Sequence, residues 1–243
     1  MSEQNSTNES TGSDGDVAPF PSGAVSVRPG ERRDIAGLSE LLARSFAQDP
    51  QLSWLLDGRT GRERRLAKFF SIYLYDAVTS GALDVATSTS TNTLLGAAAW
   101  MPPGKRFASL GRQLICIPSF VAIFGRRLGA ASELARLLSK VHPVEPPWYL
   151  AVLGVDDSCQ GRGVGASLVR HGLRRADEGG YAAYLETNKE SNVLIYEHLG
   201  FARARVVDYS SGCPSTTTMW RASVTKGSER DGGTGQGPST LER

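Results

Sequence analysis

The chain has 243 residues, 40% of them hydrophobic and 21% charged, with a formal net charge of +2. These are globular values, enough for one ordinary domain with a sizeable core, and the near-neutral balance gives no case by itself for a nucleic-acid protein. Cys116, Cys159 and Cys213 stand far apart, outside any Cys-x-x-Cys or Cys/His cluster, which argues against a structural metal site and predicts reduced thiols in a cytoplasmic protein.

Residues 1–22 are rich in Ser, Asn, Gly, Asp and Thr and contain no Lys or Arg. Such a segment cannot bury apolar surface and is expected to be a disordered tail, too polar and acidic for a signal peptide. The folded domain is expected over 23–223. It opens with a strand at 24–28. A helix follows over 34–46, with Ile35, Leu38, Leu41, Leu42 and Phe46 at helical spacing. A second helix over 62–78 turns Leu66, Phe69, Phe70, Tyr73 and Leu74 inward. Its Arg62, Arg64 and Arg65 read as a solvated face, mildly unfavourable at a helix N-terminus. Residues 83–86 and 94–100 form a hairpin around the Thr/Ser/Asn-rich turn 87–93, closed by Pro102-Pro103-Gly104.

Residues 105–140 read as a helical insert of two or three helices, interrupted at Pro118 and Gly129. The insert is basic, through Lys105, Arg106, Arg112, Arg126, Arg127, Arg136 and Lys140, with Glu133 its one acid. A solvated face is the simpler reading, contact with an anion the sharper one. No apolar run approaches membrane-span length. The run 148–155 is almost continuously apolar, as for a strand buried on both faces. A helix over 161–178 carries Val164, Leu168, Val169, Leu173 and Ala176 on one stripe and stops at Gly179-Gly180. A strand at 181–187, a short helix at 191–198 capped by Ser191, and a hairpin of 203–209 with 215–222 complete the domain. Residues 224–243 are expected to be a second disordered tail.

The turn after the central strand reads Gln160-Gly161-Arg162-Gly163-Val164-Gly165-Ala166 and feeds a helix N-terminus. Unpartnered N–H groups and the helix dipole make that a phosphate site, and glycines let the ligand reach the backbone. The spacing fits neither the nucleotide P-loop, which needs a lysine, nor the dinucleotide Gly-x-Gly-x-x-Gly. It resembles the acyl-CoA pyrophosphate loop of the GNAT N-acetyltransferases. The resemblance continues through Tyr184-Leu185-Glu186-Thr187, Asn192 and Tyr196-Glu197-His198-Leu199-Gly200-Phe201. Upstream it takes in His142-Pro143 and Glu145-Pro146-Pro147-Trp148-Tyr149-Leu150. Together these blocks are most similar to the puromycin N-acetyltransferase branch.

The resemblance implies an α/β GNAT fold: a mixed, mostly antiparallel sheet with one splayed parallel strand pair and helices on both faces. It implies acetyl-CoA as cosubstrate, no metal, and acetyl transfer to a primary amine of a small molecule by direct attack. A peptide acetyltransferase and a non-catalytic acyl-CoA-binding module are the alternatives. The pantetheine arm would bond to the backbone at Leu153, Gly154 and Val155. The pyrophosphate would rest on N–H groups from Gly161 through Arg162, Gly163, Val164 and Gly165 to Ala166, with Gln160 and Arg162 adding side-chain donors. The family uses an asparagine such as Asn192 on the cofactor arm and a tyrosine such as Tyr196 as the acid for the leaving thiolate. For the base, Glu186 ranks first, ahead of Glu145, His142 or a water held by Tyr149; a structural carboxylate is an equal reading of Glu186. A backbone N–H near Val152 or Leu153 would hold the oxyanion. Phe46, Asp49 and Trp54 are candidates to line the acceptor pocket, which the insert would roof. Cys159 is expected to face solvent or phosphate, and His171 and His198 read as ordinary helix residues. No nucleic-acid or membrane partner is expected, and the chain is read as a monomer or homodimer.

Overall fold

The computed structural model describes residues 24–56, 60–105, 110–209 and 212–224. The tail expected at 1–22, and all of that at 224–243 except Val224, lie outside the described residues. Fourteen elements follow in order: β1 Val25–Pro29, α1 Ile35–Ser45, α2 Pro50–Leu55, α3 Arg62–Thr79, β2 Leu83–Ser88, β3 Leu94–Met101, α4 Leu110–Phe124, α5 Leu128–Val141, β4 Trp148–Val155, α6 Val164–Gly179, β5 Ala183–Thr187, α7 Glu190–His198, β6 Ala202–Val207 and β7 Thr216–Arg221. The seven strands form one sheet in the order β1-β2-β3-β4-β5-β7-β6. Among the described residues only β4 and β5 run parallel, as the resemblance to the GNAT fold implies.

Each sheet face carries its own core. On one, α1, α3 and the insert bury Leu38, Leu42, Leu66, Phe70 and Leu74 against Val85, Ala97 and Val152. On the other, α6 and α7 bury Leu168, Val169, Val193 and Tyr196 against Trp100, Leu150, Leu185 and Met219. All five residues of the α6 stripe expected from spacing are buried. Gly172 sits among them because any Cβ there would collide with the indole of Trp100. A polar clamp fixes the same helix. Asp84 on β2 is fully buried and accepts both Arg175 nitrogens at 2.7 Å, with His171 Nδ1 at 3.0 Å. The Arg175 guanidinium also stacks over Trp148. His171 is therefore part of a buried polar cluster and not an ordinary helix residue, whereas His198 is exposed and bonds the Leu194 carbonyl one turn back.

Several local expectations are corrected. Helix α2 had no sequence signal beyond its cap: Asp49 accepts from the Leu52 N–H at 2.8 Å, and Pro50 opens the first turn. Arg62 and Arg65 are not solvated. Arg62 donates to Ser53 Oγ, and Arg65 to the carbonyls of Ile123 and Leu56, tying α3 to α2 and the insert. Helix α4 runs through Pro118, and Gly129 lies inside α5. The break falls at Gly125, whose φ of +50° suits glycine, followed by Arg126 and Arg127. A lone proline removes one helical hydrogen bond, whereas a left-handed residue reverses the backbone. Taken together, Ile115–Val141 is 27 residues of helix containing an 18-residue window of mean hydropathy 1.2. That is long and apolar enough by composition to cross a bilayer, against the expectation, although the Gly125–Arg127 turn divides it. Helix α7 starts at Glu190 with Lys189 as its N-cap, so Ser191 does not cap it. The earlier start follows from the Lys189 N–H bonding to Thr187 Oγ1, which closes the strand-to-helix turn first.

Candidate active site

The site begins where β4 and β5 part. Their parallel register holds for three pairs only, Trp148 with Ala183, Tyr149 with Tyr184 and Leu150 with Leu185. Beyond Leu150, β4 stays bonded to β3 on its other edge as far as Val155, so Ala151–Val155 faces β5 across a gap. A register shift sits at the same point. Trp100 pairs with Leu150 while Ala99 pairs with Val152, leaving Ala151 as an extra residue. Such a bulge bends and twists its strand. It also swaps sides: Leu150 packs in the α6 core and Val152 in the α1–α3 core. The strand is consequently alternately buried and half-buried, not buried throughout as its composition suggested. Leu153, Gly154 and Val155 thus present backbone to this gap. At Gly154 a Cβ would run into Leu42 of α1, which lies directly over the strand.

The glycine loop closes the far end of β4. Asp156 accepts from the Ser158 N–H and hydroxyl, forming a tight turn over Asp157–Cys159. That turn swings Cys159 into the α6 core, so its thiol is buried and does not face solvent or phosphate. Gly161 and Gly163 have φ of +73° and +81°, and a Cβ at either would meet no atom within 4 Å. The backbone of the loop is therefore left-handed and open on its outer side, ahead of the N-terminus of α6 at Val164. Gly165 and Ala166 lie in its first turn, where a Cβ on Gly165 would rest in ordinary contact against Val155. Unpaired N–H groups, an outward-facing positive helix end and absent side chains suit a pyrophosphate. Arg162 is half-buried in this loop. Gln160 is exposed, and its amide donates back to Asp157 Oδ1 at 2.7 Å and reaches the Val155 carbonyl at 3.5 Å, holding the loop's own shape.

On the α6 side of the gap, α7 supplies Asn192, half-buried, and Tyr196, buried edge-on to Phe201 at 6.0 Å between ring centroids. Burial drives the Tyr196 phenol well above its ordinary pKa, so it stays protonated at neutral pH and can donate.

On the opposite face sits a cluster the sequence only partly showed. Tyr149 Oη donates to one Glu186 oxygen at 3.1 Å and Tyr184 Oη to the other at 3.0 Å. The two phenols neighbour each other because Tyr149 and Tyr184 are register partners, while Tyr184 and Glu186, two apart on β5, share a face. His142, the C-cap of α5, packs its ring on both at 5.2 and 4.7 Å. Burial raises the Glu186 pKa, and the two phenol bonds partly offset it. Nearby Tyr73 is pushed up to about 12 by burial and by the Glu186 charge. Burial lowers the His142 pKa, partly countered by a bond at Pro143. Glu186 is thus a carboxylate with elevated basicity, both oxygens hydrogen-bonded, and the His142 ring packs on its two phenol partners. Tyr149 reaches Glu186 directly, and Glu145 is exposed in the turn before β4. Tyr73 and Tyr184 as neighbours of this carboxylate were missed; only Tyr184 left a signal, the two-residue step to Glu186.

Of the three acceptor-pocket candidates, Trp54 lines a small cleft with Leu134 and Leu137 of the insert and with Tyr209 and Cys213. The Arg127 guanidinium covers the Trp54 ring. Asp49 is buried as the cap of α2 and accepts from Asn188 Nδ2, while Phe46 packs on Phe70 beneath Gly154. Both hold the walls. Among the described residues no group of His, Cys, Asp and Glu is arranged to hold a metal.

A seven-stranded sheet splayed at its one parallel pair, with a glycine loop at the end of the splay, defines the GNAT acetyltransferase fold, and this chain has it. The family model described as acetyltransferase (GNAT) family matches residues 134–201, from α5 through the glycine loop to the end of α7. A curated relative, a mycothiol acetyltransferase of Nocardia farcinica, is 40% identical over 73 residues. That match covers 28% of this chain, and the chain spans about a quarter (24%) of that relative's length. Among solved structures, a histone acetyltransferase and related acetyltransferase of Corynebacterium glutamicum superposes with a TM-score of 0.66 at 25% identity, over 83% of this chain and 98% of that one. A Drosophila melanogaster polyamine N-acetyltransferase shares the fold at a TM-score of 0.60 and 15% identity, covering 82% and 99%. A mosquito arylalkylamine N-acetyltransferase-like protein does so at 0.57 and 15%, covering 81% and 99%.

Proposed function

We propose that this chain transfers an acetyl group from acetyl-CoA to a primary amine of a small molecule, by direct attack within one ternary complex. The observation that carries the reading is the gap between β4 and β5, with the glycine loop at one end, Tyr196 on one face and Glu186 on the other. Leu153, Gly154 and Val155 offer main-chain partners for the pantetheine arm, which takes the place of a strand. Loop N–H groups and Arg162 take the pyrophosphate, and Asn192 bonds the arm from α7. Glu186 accepts the amine proton as nitrogen attacks the thioester carbonyl. A backbone N–H near Val152 or Leu153 holds the oxyanion. Tyr196 then gives its proton to the departing thiolate, and no acyl-enzyme forms.

A small acceptor is favoured over a peptide because the insert covers the acceptor side. Leu134 and Leu137 narrow the space beside Trp54 and Tyr209 to a small cleft, where an extended peptide would need an open groove. The names of the fold neighbours, polyamine and arylalkylamine N-acetyltransferases among them, and the likeness to the puromycin branch point the same way. Three free, buried thiols suit a cytoplasmic enzyme. The test is purified chain with acetyl-CoA and a panel of primary amines, followed by thiol release and by mass of the product. Amine-dependent release with one acetylamide formed per thiol is expected. Tight acetyl-CoA binding with no release on any amine or peptide would instead make the chain a binding module.

A further inference from the structure

We propose that the acceptor carries an acidic group, carboxylate or phosphate, which Lys140 and Arg205 hold at the mouth of a cleft opening beside Glu186. The inference rests on the transfer reading above and names the substrate class for it. The cleft, about 590 Å³ counting its open mouth, lies between the C-terminal end of α5 and the β5–β7–β6 part of the sheet. Its floor is Tyr184, Thr218 and Trp220. Register places this floor: Tyr184 pairs with Trp220 and Glu186 with Thr218 across β5 and β7, so all four residues share one face. Tyr184 also donates to Glu186 directly. A molecule seated on this floor meets Tyr184, one hydrogen bond from the candidate base.

Two cations guard the entrance. Lys140 comes from the last turn of α5 and Arg205 from β6, and no carboxylate lines the cleft among its described residues. The placement of Arg205 is specific. Arg203 and Arg205 are two apart and would share a face on a regular strand. A register shift between them pairs Arg203 with Met219 and Arg205 with Thr218. The bulge sends Arg203 to the α7 side, where Glu190 and Glu197 neutralise it, and Arg205 to the cleft. Elsewhere Arg28, Arg175 and Arg221 each meet a buried or half-buried aspartate. Among the described residues neither Lys140 nor Arg205 has a carboxylate partner. An ammonium point charge and a guanidinium fork facing one opening fit a carboxylate or phosphate. The CoA phosphates are not that anion. They belong at the glycine loop beyond Val155, and the cleft lies at the Tyr149 end of β4, about 20 Å of strand away.

The test compares ω-amino carboxylates with alkylamines of equal chain length as acceptors, in the wild-type chain and in the double variant K140Q/R205Q. Expected is a kcat/KM at least tenfold higher for the amino carboxylates, abolished in the variant, while alkylamine kcat/KM stays unchanged. No preference in the wild type, or the same preference in the variant, overturns the inference. Equilibrium titration of the same amino carboxylates in the presence of CoA reads the cleft without turnover: binding should weaken at least tenfold in the variant, and equal binding overturns the inference. Acetyl-CoA affinity, measured on both proteins, reports separately on the transfer reading. Intact acetyl-CoA binding and alkylamine turnover without any carboxylate preference fault the cleft alone; absent acetyl-CoA binding faults the transfer reading.

Discussion

Replacing Glu186 by Gln removes a proton acceptor while keeping volume and planarity. Two phenols donate to the carboxylate, at 3.0 and 3.1 Å. The amide oxygen of Gln keeps one of them, and the amide nitrogen can donate to the other phenol's oxygen, so the cluster stays bonded and the fold should hold. A general base contributes roughly 100- to 10,000-fold, so kcat should fall by that factor, about 2.7–5.4 kcal/mol of barrier. The pH dependence gives the sharper readout. Burial raises the Glu186 pKa, so the wild-type rate should climb with pH through a limb above the ordinary glutamate range. The variant should lack that limb, and its defect should shrink at high pH, where the amine is already free. Stability follows by linkage. The folded-state pKa lies above the unfolded one, so the folded chain holds this proton more tightly, and the stabilisation present at low pH is lost as pH rises through the folded value. Melting temperature of the wild type relative to the variant should therefore decline with increasing pH across that window. The assays are thiol release over pH 5–9 and thermal melts over the same range. Turnover within about threefold of wild type, with an unchanged pH profile, would remove Glu186 from the base role, since that loss is under ~1 kcal/mol.

Tyr196→Phe keeps the ring against Phe201 and should lower kcat by roughly 100- to 10,000-fold with acetyl-CoA affinity and melting temperature nearly unchanged; near-normal turnover would assign the ring to packing alone. Gly163→Ala forces an alanine to φ +81°, at a cost of about 1–2 kcal/mol, yet its Cβ meets no protein atom. It should shrink the rise in melting temperature that acetyl-CoA produces, and an undiminished rise would displace the phosphate from this loop. Arg175→Met removes both guanidinium bonds from the fully buried Asp84 and leaves it His171, and should destabilise the fold by about 3–5 kcal/mol in denaturant titration; a change under ~1 kcal/mol would mean that His171 satisfies Asp84 by itself.

The glycine loop, the central strand, the α6 stripe and the order of elements other than α2 were legible because each follows from local spacing: 3.6 for the helix, an apolar run for the strand, three glycines at a helix start. What escaped depends on contacts between distant segments. The Asp84–Arg175–His171 clamp joins residues about 90 positions apart, and strand β2 gave no reason to expect a carboxylate facing α6. The bulge at Ala151 is a property of pairing with β3, so composition alone suggested a strand buried on both faces. Pro118 is a stronger helix breaker than Gly125 by propensity, but the chain turned where a left-handed residue was available. At the site, Glu186 was named from its motif, while the bond it accepts from Tyr149 emerged only with the parallel register of β4 and β5.

Hydrogen exchange with and without acetyl-CoA tests the central claim most directly, because the proposed ligand bonds to backbone. Acetyl-CoA should slow exchange at the amides of Leu153–Val155 and of Gly161–Ala166, with little change in β1 and β2, which lie at the far edge of the sheet. Unchanged exchange in both segments at saturating acetyl-CoA, or protection elsewhere alone, would contradict the assignment of the gap and its glycine loop as the acetyl-CoA site.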